Sequence, residues 1–430
     1  MFGIIIKGCD FMQFKILTIE EYLTFFNSFK YSHFLQSVTW GLVNKETRNK
    51  EPIFVGLKKD NKVLAAALLL KKKMPFNLCY YYCPRGYLLD FNNQEILTEF
   101  TKGMKEFLKS TNAIYVKINP EIMYQEIDKD GNRIPNSKNN ISIYNSLITL
   151  GYIHQGFVKL YENNEPRYSF RRYFEKYQSM EEIDKSISKT FMKTVRRSYT
   201  YNLSLDTNGN VDDFYELNKS NAAKDDFVQY PDKFYKTLYK YGKEYKNIIV
   251  FNIKVNGKKI YNEANTNYNK LKNDLENNNV SKKNLADSKE KLIRLEQDLK
   301  TFEPYKDKED FVICSMINGL ANDMMWTMYI GNNKLGEYLF AVNRVYYETI
   351  KYCFENHYRF LDLYGTSGDP NTTYKNLGGL HKYKERFGDT YIEFIGEFDY
   401  IIDEGKFRRI QAAGLLSEEF KPSYRLESEQ

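Results

Sequence analysis

Histidine and cysteine are scarce in this chain, and no apolar run is long. The 430 residues include 4 histidines and 5 cysteines. His33, His154, His357 and His381 stand in no HExxH or similar metal spacing, so the sequence offers no zinc-hydrolase pattern. The cysteines are odd in number, and only Cys79 and Cys83 lie close together, inside an apolar aromatic run. That is neither a disulfide framework nor a metal knuckle, and all five read as reduced structural thiols of a cytoplasmic protein. No apolar stretch approaches the roughly 20 residues that span a bilayer. The N-terminal MFGIIIKGCDF holds too short an apolar block for an export signal, and no cleavage-like site follows it. A GxSxG elbow, a Walker loop and a GxGxxG turn are missing as well. An enzyme built this way works on a substrate that is already activated, where positioning and charge stabilisation supply most of the acceleration.

What the chain does have is length, aromatic rings and a mild positive balance. A chain this long buries a large core and divides into two or more domains. Aromatics make up 16% of it, with 37 tyrosines, and 63 lysines and arginines against 56 acidic residues leave a net charge of +7. Such a charge permits contact with RNA or an anionic membrane surface and demands neither.

Two segments share one order of elements. In the first, IFVGL (53–57), VLAAALLL (63–70) and LCYYYC (78–83) read as strands, followed by Pro84-Arg85-Gly86. A helix follows at about 94–110, with Ile96, Leu97, Phe100, Met104, Phe107 and Leu108 on one face, then a strand AIYVKI (113–118) closed by Asn119-Pro120. In the second, IIVFNIKV (248–255), FVICSMI (311–317) and MMWTMYI (324–330) are strands, with a turn expected at Asn318-Gly319. A helix at about 338–355 and a strand RFLDLY (359–364) complete it. This points to two copies of one α/β unit, whose order resembles the GNAT-type acetyltransferase fold.

The copies differ between their first two strands, where the second carries over fifty residues. Ala264, Tyr268, Leu271 and Leu275, then Leu285, Ser288, Leu292, Leu295 and Leu299, recur at steps of three and four. Two helices with a heptad seam, joined at Asn277-Asn278-Asn279, predict an antiparallel helical arm. Its charged faces suit a solvated spacer or a contact surface. Between the copies, Lys185, Lys189, Lys193, Arg196 and Arg197 share an expected helix with an apolar stripe of Ile183, Ile187, Phe191 and Val195. The outward basic face suits a solubilising surface or a phosphate-binding one.

A family likeness joins these pieces. FLQSVTW (34–40), YYYCPRGYLLD (80–90), YVKINP (115–120), KTVRRSYTYNLSL (193–205), FLDLYGTSGD (360–369) and HKYKERFGDTYIEFIGEFDY (381–400) occur in order. Together they resemble the FemABX family of non-ribosomal peptidyl transferases, from about residue 20 to 403. The resemblance implies an α/β fold of two GNAT-like (acyl-CoA N-acyltransferase-like) domains with an antiparallel coiled-coil helical arm in the second. The expected division is 12–150, then 151–400 interrupted by an arm at 256–308, with a tail at 401–430 packing back on the first domain. The implied activity is transfer of an amino acid from aminoacyl-tRNA to the stem-peptide amine of a peptidoglycan precursor, either lipid II or UDP-MurNAc-pentapeptide. No cofactor is implied, since aminoacyl-tRNA is itself the co-substrate. The same likeness admits a homologous transferase as partner and peripheral contact with the inner membrane face. A non-catalytic binding protein of this fold, or an acyltransferase with another amine acceptor, is the alternative.

The likeness also assigns residues. Tyr383 and Lys384 fall on the family's aromatic–lysine pair at the donor side and are the expected catalytic residues, with Phe387 after them. Tyr329 matches a tyrosine near the acceptor peptide. Arg85, Asn119 and Lys45 are expected on the substrate side, and Lys193, Arg196, Arg197 and Arg386 on the tRNA side. The chain departs from the family at Asn44, where a lysine is usual, with Lys45 next; at Asn119, where aspartate is usual; and near Phe227–Phe234, where a precursor-gripping arginine and tyrosine are replaced.

Overall fold

The computed structural model describes residues 12–160, 164–225 and 229–414. The N-terminal MFGIIIKGCDF, Phe227 and residues 415–430 of the expected tail therefore lie outside the described residues. The chain begins with β1 (Gln13–Ile16), α1 (Ile19–Ser28), α2 (Val38–Arg48), β2 (Glu51–Lys59), β3 (Lys62–Lys73), β4 (Cys79–Cys83), α3 (Gln94–Lys109) and β5 (Ala113–Ile118). A middle stretch holds β6 (Met123–Glu126), α4 (Ile141–Thr149), β7 (Ile153–His154), β8 (Tyr168–Tyr173), α5 (Met180–Ser186), α6 (Lys189–Tyr199), β9 (Ser204–Asp206), α7 (Phe214–Asp225) and α8 (Asp232–Glu244). Then come β10 (Ile248–Asn256), α9 (Gly257–Glu276), α10 (Leu285–Phe302), β11 (Asp310–Ala321), β12 (Met324–Asn332), α11 (Lys334–Tyr338) and α12 (Ala341–Glu355). The chain closes with β13 (Phe360–Thr366), α13 (Leu377–Glu385), β14 (Thr390–Phe394), β15 (Phe398–Ile401) and α14 (Glu404–Ala412).

Among the described residues the strands form two sheets, ordered β1-β2-β3-β4-β5-β15-β7 and β6-β14-β8-β13-β12-β11-β10-β9. The pairing repeats: β2-β3-β4 are antiparallel and β4-β5 parallel, just as β10-β11-β12 are antiparallel and β12-β13 parallel. Each parallel step is bridged by a helix, α3 in one copy and α12 in the other, as a parallel crossover requires. Sheet membership does not follow chain order. β15, near the C-terminal end, pairs with β5 of the first sheet, while β6 pairs with β14 of the second. The two sheets are thus stitched together by exchanged strands.

Three large apolar clusters and one small one lie among the described residues. Of the large ones, one lies under each sheet and the third joins them. The joining cluster packs Phe34, Val38 and Trp40 from the N-terminal segment against Phe234, Ile317 and Trp326. Its presence explains one departure from the expected elements. β11 does not turn at Asn318-Gly319 but continues to Ala321, and Gly319 pairs with Ile248 and Trp326 on its two sides. A Cβ there would stand 2.5 Å from the Phe34 ring, so this glycine serves close approach rather than a bend. The basic helix expected between the copies also differs. It is broken into α5 and α6 at Ile187, which is extended, and the Ser188 side chain caps α6 by accepting from the Phe191 amide.

α9 and α10 form the expected arm, packed against each other along their lengths. Burial is confined to the root: Gly257, Ile260 and Ala264 on one helix, Leu295 and Phe302 on the other. Between Ala264 and Leu295 no described side chain is fully buried. No described helix is long and apolar enough to cross a membrane. Replacing residues 265–294 by a short Gly-Ser turn should therefore leave the melting temperature within a few degrees of the parent, whereas Phe302→Ala should cost about 3–5 kcal/mol. Thermal and urea melts of the two variants check this; a large loss on trimming the arm would mean its tip holds the fold.

Candidate active site

Where the two sheets meet, a small, half-open cavity with room for about one water is lined by His33, Arg85, Glu121, Trp326, Asp362 and Tyr364, among others. Local chain geometry sets each of these groups. Arg85 follows β4 in a turn where its own φ is 52°. A Cβ on the next residue, Gly86, would lie 2.4 Å from the Cys83 sulfur. Asn119, just past β5, accepts from the Arg85 amide at 2.9 Å and from the Tyr82 hydroxyl at 3.3 Å. The parallel strands β4 and β5 thus end together and hold Arg85 at their C-terminal edge, where α/β sheets commonly place ligands.

The second sheet presents the opposing charges. On β8, Arg171 and Arg172 point to opposite faces, as strand alternation requires. Arg172 donates to the Phe387 carbonyl and to Ser186 Oγ, away from the cavity. Arg171 is the register partner of Asp362 on β13, and its Nε lies 2.6 Å from Asp362 Oδ2. Asp362 Oδ1 accepts from Ser169 Oγ at 2.5 Å and from the Tyr364 amide at 2.7 Å. Glu121, on the segment that leaves the first sheet, closes the chain of charges. It pairs with Arg171 and, at 3.4 Å, with Arg85 Nε. Two guanidinium groups and two carboxylates therefore alternate across the junction, all of them largely buried.

His33 stands at the cavity wall with its ring 4.3 Å from that of Trp326. Its Nδ1 accepts from the Leu35 amide, so the neutral ring carries its proton on Nε2, 3.8 Å from Glu121. Burial, with Arg85 and Arg171 nearby, holds its pKa well below the usual histidine value.

Lys384 lies directly behind this wall. The register of β13 breaks between Asp362 and Gly365, and Tyr364 takes a left-handed conformation with φ 61°. The Lys384 amine, on α13, donates to the carbonyls of Tyr364 at 3.1 Å and Gly365 at 2.7 Å. Both carbonyls belong to cavity-lining residues. Burial lowers the Lys384 pKa to about 7, against the upward pull of Asp362.

The other expected site residues divide between this region and elsewhere. Tyr329 sits on β12 among Tyr230, Phe234 and Tyr235, at ring distances of 5.6–6.1 Å. Tyr383 and Phe387 face the other way, into an aromatic cluster with Phe191 and Tyr346. Lys45 is exposed and pairs with Glu51 at 3.2 Å. Asn44 is buried and donates to the Trp40 carbonyl at 2.9 Å, a helix-internal role. Lys193, Arg196, Arg197 and Arg386 are exposed, with Arg197 over the Phe340 ring at 5.1 Å.

Sequence reasoning missed Glu121, Arg171, Asp362 and Arg48. The signal for the first three is a charged residue inside an otherwise apolar strand or at its end, as in FLDLY and KINPE. Arg48 stacks over Tyr230 at 4.2 Å, Phe234 at 4.9 Å and Trp40 at 5.2 Å. Its Nη2 is buried and has no hydrogen-bond partner among the described residues. Beside it, Glu165 hydrogen-bonds Tyr364, and burial raises the Glu165 pKa despite Arg85 and Arg48. Cys79, Cys83, Cys314 and Cys353 are free and buried. Burial raises the pKa of all four, which makes them poor nucleophiles. No group of three or more metal-binding side chains occurs among the described residues.

Two acyltransferase-like sheets with a polar cavity at their junction define the class, a tandem GNAT fold. The crystal structure of FemX superposes on the chain with a TM-score of 0.72 at 21% identity, covering 93% of this chain and all of that one. The FemAB family profile matches residues 17–414, and the chain belongs to that family. Among its relatives, aminoacyltransferase FemA of Staphylococcus epidermidis is 26% identical over 90% of this chain and 95% of its own length. A lipid II:glycine glycyltransferase of Staphylococcus aureus is 24% identical over 93% of this chain and 95% of its own.

The buried amine of Lys384 makes stability depend on pH in a defined direction. Unfolded, it titrates near its ordinary 10.5; folded, near 7. Between these values the unfolded chain holds more protons, so stability should rise with pH, by at most about 1.4 kcal/mol per unit. Urea melts at pH 7 and pH 10 should show the parent gaining on Lys384→Met across that window. A flat difference would mean the folded amine stays charged.

Proposed function

We propose that this chain is an aminoacyltransferase that moves an amino acid from aminoacyl-tRNA to an amine of a peptidoglycan precursor. The relatives' names supply the class: one is an aminoacyltransferase, another a lipid II:glycine glycyltransferase. The observation that carries the reading to a site is the Lys384 amine, bonded from behind to two carbonyls of the cavity wall.

The chemistry needs little from the protein beyond placement. An amine attacks the ester carbonyl, a tetrahedral oxyanion forms, and the ribose oxygen of the tRNA leaves with a proton. No acyl-enzyme is required, which agrees with the buried, high-pKa thiols. Holding the two partners together and stabilising the oxyanion supply the acceleration. In this reading Lys384 fixes the wall and sets its charge, Arg85 and Asn119 shape the first-sheet side, and Tyr383 with Phe387 anchors α13. Tyr329 and Arg48 face the acceptor, and the unpaired Arg48 nitrogen suits its negative charge. Lys193, Arg196, Arg197 and Arg386 form an outward basic face for the tRNA.

The test is transfer of a radiolabelled amino acid from charged tRNA to a purified lipid-linked or nucleotide-linked precursor. Lys384→Met should lower kcat roughly a hundredfold or more while the circular dichroism spectrum is kept. Arg48→Gln should raise KM for the precursor with a smaller effect on kcat. Unchanged kcat in the Lys384 variant removes it from the reaction. Binding of tRNA without transfer to any precursor would refute the enzyme reading.

A further inference from the structure

At the far end of β4 from Arg85, the β3–β4 hairpin carries the sequence Lys71-Lys72-Lys73-Met74-Pro75-Phe76-Asn77-Leu78. Its stem is fixed. Met74 and Leu78 pack on a cluster of Tyr80, Ile114, Tyr115 and Ile410, which ties the hairpin to β5 and α14. The turn closes with Met74 N to Leu78 O at 2.8 Å and Leu78 N to Pro75 O at 3.2 Å.

The tip is unlike an ordinary turn. Phe76 and Asn77 have φ of 60° and 56°, a conformation that glycine or asparagine usually supplies. Here a phenylalanine takes it, and the ring is 78% exposed, more than any other large apolar side chain among the described residues. Three lysines precede it at the end of β3, Lys71 opposite Glu51 of β2 and Lys72 over the Tyr80 ring at 5.2 Å, so cations lie on both faces of the strand. An aromatic ring held clear of the fold, with cations just behind it, matches the layering of an anionic bilayer surface, apolar below and negative at the headgroups.

We propose that the Lys71–Leu78 hairpin docks this protein on an anionic lipid surface, with Phe76 entering the interface and Lys71, Lys72 and Lys73 facing the headgroups. The partner is a membrane rather than RNA because the exposed apolar tip is a single ring between Pro75 and Asn77. A nucleic-acid surface would instead offer several stacking rings along a groove. The ten residues from Phe76 to Arg85 span at most about 30 Å, so the cavity lies within that distance of a docked hairpin. The docking goes beyond the transferase reading and does not depend on it.

Vesicle binding tests the surface without any substrate. The full chain should co-sediment with vesicles of phosphatidylcholine containing roughly one-third phosphatidylglycerol, and much less with phosphatidylcholine alone. Phe76→Ser should weaken binding roughly tenfold, and replacing the three lysines by glutamine roughly a hundredfold, with melting curves unchanged. In Phe76→Trp, the emission in excess of the parent, whose Trp40 and Trp326 are buried, should shift to the blue when anionic vesicles are added. The proposal is overturned if that shift is missing, or if the emission is already blue before lipid is present, since the tip is then covered by protein. It is equally overturned if the hairpin variants bind vesicles like the parent, or lose tRNA binding instead. Loss of transfer with vesicle binding intact would count against the enzymatic reading alone.

Discussion

The alternating chain of Arg85, Glu121, Arg171 and Asp362 is the constraint on which the junction depends. Glu121 and Arg171 are each held between two partners of opposite sign, and Asp362, at one end, also accepts from Ser169 Oγ and the Tyr364 amide. Taking these four groups out of water is expensive, and their mutual attraction offsets the cost only when the geometry is good. The register of β8 on β13 supplies that geometry by setting Arg171 opposite Asp362. Removing one member would leave a buried charge without its partner, a loss of several kcal/mol. An apolar junction could hold the sheets equally well. The ionic one leaves a polar cavity between them, which an apolar core would have closed.

Rigidity of that cavity comes from two further features. The joining apolar cluster runs from Phe34 and Trp40 to Phe234 and Trp326 without a break, so the two sheets share a core. The exchange of β15 and β6 then ties each sheet to chain from the other side of the junction. Relative motion of the sheets would have to break strand pairing as well as apolar contacts. The fixed cavity contrasts with the arm, whose fully buried side chains end at Ala264 and Leu295. The chain therefore pairs a stiff centre with a solvent-exposed lever and a basic hairpin, each joined to the body by a short buried root.

Much of the fold was legible because it rests on local pattern. The strand AIYVKI is observed at the residues expected, 113–118, since a β-branched run between a helix end and Asn-Pro has one reading. The arm was legible from its three-four rhythm. Asn318-Gly319 misled because a glycine serving close approach to Phe34 looks the same in sequence as one that makes a turn. The single basic helix misled because an apolar stripe crosses the Ile187 break unaltered, and only the Ser188 cap marks it. The cavity was the least legible part. Glu121, Arg171 and Asp362 lie far apart in the chain, and each alone is an unremarked charge near an apolar strand.

The amino-acid sequence by itself determined the two copies of the α/β unit, the arm and its place, and the family likeness. These follow from spacing along the chain, which periodicity and motif order record directly. Only the tertiary structure decided which side chains share the cavity and which way each one faces. Tyr383 and Lys384 are neighbours in sequence, yet one helical step sends the phenol into an aromatic cluster and the amine to the cavity wall. Arg48, on α2, stacks on Tyr230 and Phe234 because helix packing brings them together, a meeting that no spacing in the chain encodes. Burial did the rest, lowering the Lys384 pKa to about 7 in a fold where the same lysine on the surface would stay fully charged.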